Sequence, residues 1–158
     1  MSEKAMIALL PIVDNWCRMD LPHMTLVYAG NDDSFTASSF NELAKDASDL
    51  AQLSRNLYLR VTGVEIFGEG VDGDPFVDVF TLQPTPELLA MRRQVQGWNA
   101  SQFPFRPHCT IGPTGNIIVD RPSHIAFNKI IATWGDENMT FNMRSENGGG
   151  AVDTPYGY

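Results

Sequence analysis

Two of the three histidines of this chain stand in the same short phrase, Pro22-His23-Met24-Thr25-Leu26 and Pro107-His108-Cys109-Thr110-Ile111. In an extended strand successive side chains point to opposite faces, so His23 and Thr25 project together while Met24 and Leu26 turn inward. By the same rule His108 and Thr110 share a face, with Cys109 and Ile111 on the other. One such phrase is an ordinary half-buried polar edge. Two copies with the same spacing and apolar phasing, each opened by a proline that suits the start of a strand, read as two half-sites built to face one another. The chemistry open to a pair of imidazoles is proton transfer in both directions, because an unperturbed pKa of about 6.5 leaves both protonation states accessible near neutrality. Each threonine adds a hydroxyl that can donate to an oxygen on which negative charge gathers.

Other chemistries find less support. Cys17 and Cys109 have no second Cys or His at a ligand spacing, and the two motif histidines lie on separate strands, so a zinc site on them would need a third ligand that the spacing does not supply. No metal and no cofactor is called for. Asp72-Gly73-Asp74 lacks the terminal Glu of a calcium loop and is better explained as a hairpin turn. Arg106 has the strand parity of His108 and Thr110; it either holds a substrate phosphate or is a solvated residue at a strand entrance. Trp134 either stacks on a base at a cleft rim or belongs to the core. His124 has no threonine partner at the motif spacing and reads as a surface residue; Trp16 and Trp98 are assigned to packing.

A chain of 158 residues with 43% apolar content is one ordinary domain with a real core. Two cysteines give no disulfide framework. No apolar run approaches the roughly 20 residues that span a bilayer, and the N-terminal segment lacks a signal-peptide cleavage region, so the expectation is a soluble, cytoplasmic protein with no membrane partner. Eleven basic against 19 acidic residues leave a net charge of −8, a poor footprint for gripping long nucleic acid. A small nucleotide, held by a few local contacts, remains compatible with that charge.

The elements that must position the two phrases follow from hydrophobic periodicity. Residues 6–13 read as a buried strand, and the strand carrying His23 runs on through Val27 and Tyr28 to a stop at Gly30. A helix opens on Ser34 or Thr36 and continues to about residue 54, with Phe40, Leu43, Ala44, Ala47, Leu50, Ala51 and Leu53 at helical spacing. Residues 57–67 and 76–82 form a hairpin around a Gly/Asp-rich turn. Thr85 caps a second helix with Pro86 in its first position and Leu88, Leu89, Val95 and Trp98 on its apolar face. The His108 strand follows, then two or three strands including 125–133 and 139–143. The organisation is α+β with antiparallel pairing: one domain over residues 1–145 and a flexible Gly-rich tail over 146–158, whose two terminal tyrosines could fold over a cleft.

The tetrads His23-Met24-Thr25-Leu26 and His108-Cys109-Thr110-Ile111, with Leu26-Val27-Tyr28-Ala29-Gly30 after the first and Phe103-Pro104-Phe105-Arg106-Pro107 before the second, resemble the two-histidine phosphoesterases. That superfamily includes bacterial 2′-5′ RNA ligase and cyclic phosphodiesterases. The resemblance implies a bilobal, pseudo-symmetric α+β fold in which two antiparallel sheets flank a central cleft, with two main helices and one motif strand from each sheet. It also implies a phosphodiesterase chemistry that needs no metal: one imidazole takes a proton from the attacking oxygen, the other gives one to the leaving oxygen, and Thr25 and Thr110 donate to non-bridging oxygens. Which histidine is base and which acid stays open. The substrates it permits are 2′,3′-cyclic phosphates, 2′-5′ linkages, RNA ends and cyclic oligonucleotide signals of the kind phages destroy to escape host immunity; the compact acidic chain leans toward the cyclic ones. The alternatives are a module of the same fold that sequesters a nucleotide without turnover, and RNA-end processing or ligase-like activity. The presence of both histidines and both threonines favours turnover.

Overall fold

The computed structural model describes residues 4–12, 22–30, 34–67, 77–101, 104–113 and 121–144. Their elements run β1 (Ala5–Pro11), β2 (Met24–Gly30), α1 (Ala37–Leu53), β3 (Leu57–Phe67), β4 (Val77–Leu82), α2 (Pro86–Val95) with a 3-10 turn over Gln96–Trp98, β5 (His108–Pro113), β6 (His124–Trp134) and β7 (Glu137–Asn142). This is the α+β order expected from the sequence.

Local chemistry sets the helix ends. The Thr36 hydroxyl accepts from the Ser39 N–H while Ser39 Oγ accepts from the Thr36 N–H, both at 3.2 Å, a reciprocal cap that satisfies two otherwise orphaned donors. At α2, Thr85 Oγ1 accepts from the Leu88 N–H at 3.2 Å and Pro86 takes the first turn. The buried stripes are Phe40, Leu43, Ala44, Ala47, Leu50 and Ala51 on α1, and Leu88, Met91 and Val95 on α2. Leu53 and Leu89, expected on those stripes, are 70% and 40% exposed, because each falls well round its helix from the buried line.

All strand pairings are antiparallel, in the order β2-β1-β6-β3-β4-β5, with β7 also paired to β6. Where the family resemblance implies two sheets, the described strands form two ladders that share β3. Its residues 57–60 pair with β6 and its residues 61–67 with β4. Between Val61 and Gly63 the register slips, leaving Thr62 as an extra residue that re-aims the strand from one ladder to the other. A second irregularity, in β2, makes Leu26 extra between the partners of Ile7 and Ala8, and both Leu26 and Val27 are then buried.

One core cluster joins Phe40, Leu43 and Leu50 of α1 and Leu88 of α2 to Ile7, Leu9, Met24, Leu26, Leu59, Phe80, Cys109, Ile111 and Phe127, so both helices cover the same sheet face. A smaller group, Ala8, Leu10 and Ile131 with Met6 against it, lies on the opposite phase of the strands. No helix among the described residues is long and apolar enough to cross a membrane. Trp16, Cys17, the Asp72-Gly73-Asp74 turn and the tail over 146–158 lie outside the described residues.

Phe127 is fully buried where β6 pairs with both Leu57 of β3 and Pro11 of β1. Phe127→Ala is expected to lower the unfolding free energy by about 3–5 kcal/mol in a urea titration. A loss below about 1 kcal/mol would show that this residue does not join the ladders into one core.

Candidate active site

The two histidine phrases meet through the backbone. His23 and Thr110 form an isolated antiparallel bridge in which the Thr110 N–H donates to the His23 carbonyl at 2.8 Å. Opposed residues of an antiparallel pair present their side chains on one face, with Cβ atoms about 4.5–5.5 Å apart. His23 therefore stands beside Thr110, while the Thr25 hydroxyl donates to Met6 Sδ at 3.5 Å. Met24, Leu26, Cys109 and Ile111 are 0–1% exposed, whereas His23, Thr25, His108 and Thr110 are half-buried on the face away from the helices.

The outer edge of β2 is fastened along its length. Besides the His23 carbonyl, that of Leu26 accepts from Arg92 Nε at 3.1 Å and that of Tyr28 from the Ala100 N–H at 2.8 Å. Arg92 also lies over the Phe105 ring, 4.5 Å from its centroid. Helix α2 and the segment that leads to the second motif thereby hold the strand that carries the first.

His108 has the most constrained surroundings. Its Nδ1 lies 2.6 Å from the Arg106 carbonyl, and a carbonyl oxygen only accepts, so Nδ1 carries the hydrogen and the neutral ring keeps its lone pair on Nε2. The Phe67 ring packs against the imidazole at 4.6 Å, and Thr81 of β4 stands directly opposite. The His108 pKa is lowered, above all by burial. The charges of His23 and Arg106 push the same way, while the bond to the Arg106 carbonyl and the Glu65 carboxylate oppose them.

Arg106 shares this face, but its Nη2 contacts both oxygens of Glu65 at 3.0 Å and its guanidinium lies over Phe67, the ring that packs on His108, at 4.8 Å. A phosphate would have to compete with Glu65 for it. Trp134 is not brought to the motifs. It pairs with Ala5 at the end of β6, whereas the first motif begins beside Leu9, and it packs on Phe35 and Phe40 at 5.4 and 6.2 Å. Of the two readings open for Trp134, this packing is the one expected of an aromatic at the edge of the core. His124 stacks flat on the exposed Tyr58 ring at 4.8 Å, and Trp98 Nε1 donates to Asp46 at 2.7 Å, tying α2 to α1. Glu65, Phe67 and Thr81 went unnoticed in the sequence; alternation along two hairpin strands was their only signal, and it needs the register to be read. Among the described residues no three His, Cys, Asp or Glu side chains come together as a metal site.

An antiparallel α+β sheet with two His-x-Thr phrases meeting on the face away from its two helices fits the resemblance to the two-histidine phosphoesterases. The profile of the 2′-5′ RNA ligase superfamily matches residues 18–118, and the chain belongs to that superfamily, an enzyme family of phosphoesterases. Solved structures agree in fold. Escherichia coli LigT, crystallised with 3′-AMP, superposes with a TM-score of 0.52 at 16% identity, covering 90% of this chain and 96% of its own. TT0787 of Thermus thermophilus gives 0.56 at 12% identity, with 90% and 99% covered. Usb1 of Kluyveromyces marxianus gives 0.63 at 11%, again over 90% and 99%. No curated protein sequence matches the chain.

Because its folded pKa is lowered, His108 stays neutral in the folded chain where the unfolded chain takes up a proton. The stability this represents is intact above about pH 6.5 and is lost as pH falls from there through the lowered folded value. In an NMR titration the His108 ring is expected to titrate below about pH 6.5, and His23→Gln to move that midpoint upward by removing a neighbouring positive charge. A midpoint indifferent to His23 would put the two rings out of electrostatic reach.

Proposed function

We propose that this enzyme cleaves the phosphodiester of a small nucleotide by acid–base catalysis between His108 and His23, with no metal ion in the proton transfers. The observation that carries the reading is the backbone bridge that sets the two motifs face to face. His108, held neutral with its Nε2 lone pair available, takes the base role: it removes the proton of the attacking oxygen as the new P–O bond forms. His23, protonated, delivers a proton to the leaving oxygen as the old P–O bond breaks, and solvent exchange then restores both rings. Thr25 and Thr110 donate to the non-bridging oxygens, where charge builds in the transition state.

A net charge of −8 favours a substrate held by local contacts over a long polyanion, which points to 2′,3′-cyclic phosphates, 2′-5′ linkages or cyclic oligonucleotides. Structures of E. coli LigT with 3′-AMP, NADP+ and ATP show ligands of this size on a related fold.

Incubation with a panel of these substrates in EDTA, read by mass spectrometry, is expected to show undiminished turnover. Loss of activity in chelator, restored by a divalent ion, would refute the metal-free step. His23→Ala and His108→Ala are each expected to reduce turnover by at least about 100-fold, with the double variant far from multiplicative, since both rings serve one transition state. Thr25→Ala and Thr110→Ala are expected to lose about 10- to 100-fold. Near-native turnover in either folded histidine variant would end the paired-site reading.

A further inference from the structure

Gly63 of β3, Thr81 of β4 and His108 of β5 form one row across three strands, Gly63 pairing with Thr81 and Thr81 with His108. Directly opposed residues share a face, so the row lies on the side of the sheet that carries the histidines. Gly63 brings no side chain to it, and Arg121 occupies that ground: a Cβ at Gly63 would stand 3.8 Å from Arg121 Nη1 and 3.3 Å from Thr81 Oγ1. The backbone is placed for this by the bond from the Val61 N–H to the Ser123 carbonyl at 2.8 Å, which lays the segment before β6 along β3.

The other arginines nearby are engaged. Arg106 is paired with Glu65 at 3.0 Å, and Arg60 Nη1 donates to Gln83 Oε1 at 3.3 Å. Arg121 is exposed and has no ion-pair or hydrogen-bond partner among the described residues. Beside it the Thr62 and Thr81 hydroxyls are joined at 2.8 Å, adding two polar groups to the same patch. A planar guanidinium with a free fork of donors matches the oxygens of a phosphate. Two strand spacings, about 10 Å in all, separate the positions of Gly63 and His108 in the row. That span is too wide for Arg121 to grip the phosphorus between the imidazoles, and it suits the next phosphate along a nucleotide chain.

We propose that Arg121, over Gly63 and beside Thr81, binds a phosphate that flanks the scissile diester, so that the enzyme selects nucleotides carrying a second phosphate, linear or cyclic, over singly charged diesters. The proposal rests on the two-histidine reading for the position of the scissile group.

The test compares 2′-5′-linked diadenosine monophosphate with and without a 5′-terminal phosphate. In the wild type the added phosphate is expected to raise kcat/KM about 10- to 100-fold, as a charged hydrogen bond does. Arg121→Gln is expected to bring the ratio of the two kcat/KM values close to one, and Arg121→Lys to restore part of it as a point charge. A ratio that survives in Arg121→Gln, or a wild type with no preference, overturns the assignment. If neither dinucleotide is cleaved, the reaction proposed above is what has failed, and calorimetric titration with the same two compounds decides on Arg121. Tighter binding of the phosphorylated one by the wild type, lost in Arg121→Gln, upholds the subsite; equal affinities in the wild type overturn it.

Discussion

The bond from the Thr110 amide to the His23 carbonyl is the contact on which the site depends. A lone backbone hydrogen bond contributes only about 0.5–1.5 kcal/mol to stability, so its importance is geometric. It joins β2 and β5, the two ends of the strand order, and turns an open sequence of ladders into one whose ends touch. What holds the ends there is the packing of Met24 and Cys109, both fully buried, against the core the two helices share. Apolar burial supplies the energy and the amide supplies the register.

Two irregularities make the meeting compatible with regular strands. The extra residue at Thr62 lets β3 pair with β6 over its first part and β4 over its second, bringing the second motif's ladder round toward the first. The extra residue at Leu26 lets β2 bury two successive apolar side chains while keeping Thr25 on the histidine face. The electrostatics follow from the same placement. A ring packed on Phe67 and largely withdrawn from water resists a proton, and the charge of His23 adds to that resistance against the opposing bond to the Arg106 carbonyl. Glu65 pairs with Arg106 on the same face, offsetting its charge beside His108.

Much of this was legible beforehand because it is local. Strand alternation foretold the inward turn of Met24, Leu26, Cys109 and Ile111, and cap chemistry placed Thr85 at one helix start and Ser34 or Thr36 at the other, where Thr36 is the cap. The α+β order and the two tetrads pointed to the superfamily that the chain proves to belong to. The rest depends on register, which periodicity does not encode. The sharing of β3 between ladders turns on a single unpaired residue at Thr62, and the capture of Arg106 by Glu65 joins residues far apart in the chain. Trp134 was ambiguous for a related reason: an aromatic at a strand end suits a rim or a core, and only its neighbours Phe35 and Phe40 decide.

The alternation within each tetrad has a further consequence for how this protein tolerates change. Cys109 is fully buried, and the residues on either side of it are His108 and Thr110, whose side chains face the opposite way. A close-packed interior accommodates added volume by shifting backbone, at about 1–3 kcal/mol for an extra methylene or two. At position 109 that shift would move the strand bearing both polar groups and strain the amide that docks on His23. Changes to the core and changes to the polar face are therefore not separable along this strand: a substitution made for one is read at once by the other, and the freest ground for change lies elsewhere, on the exposed residues of β3.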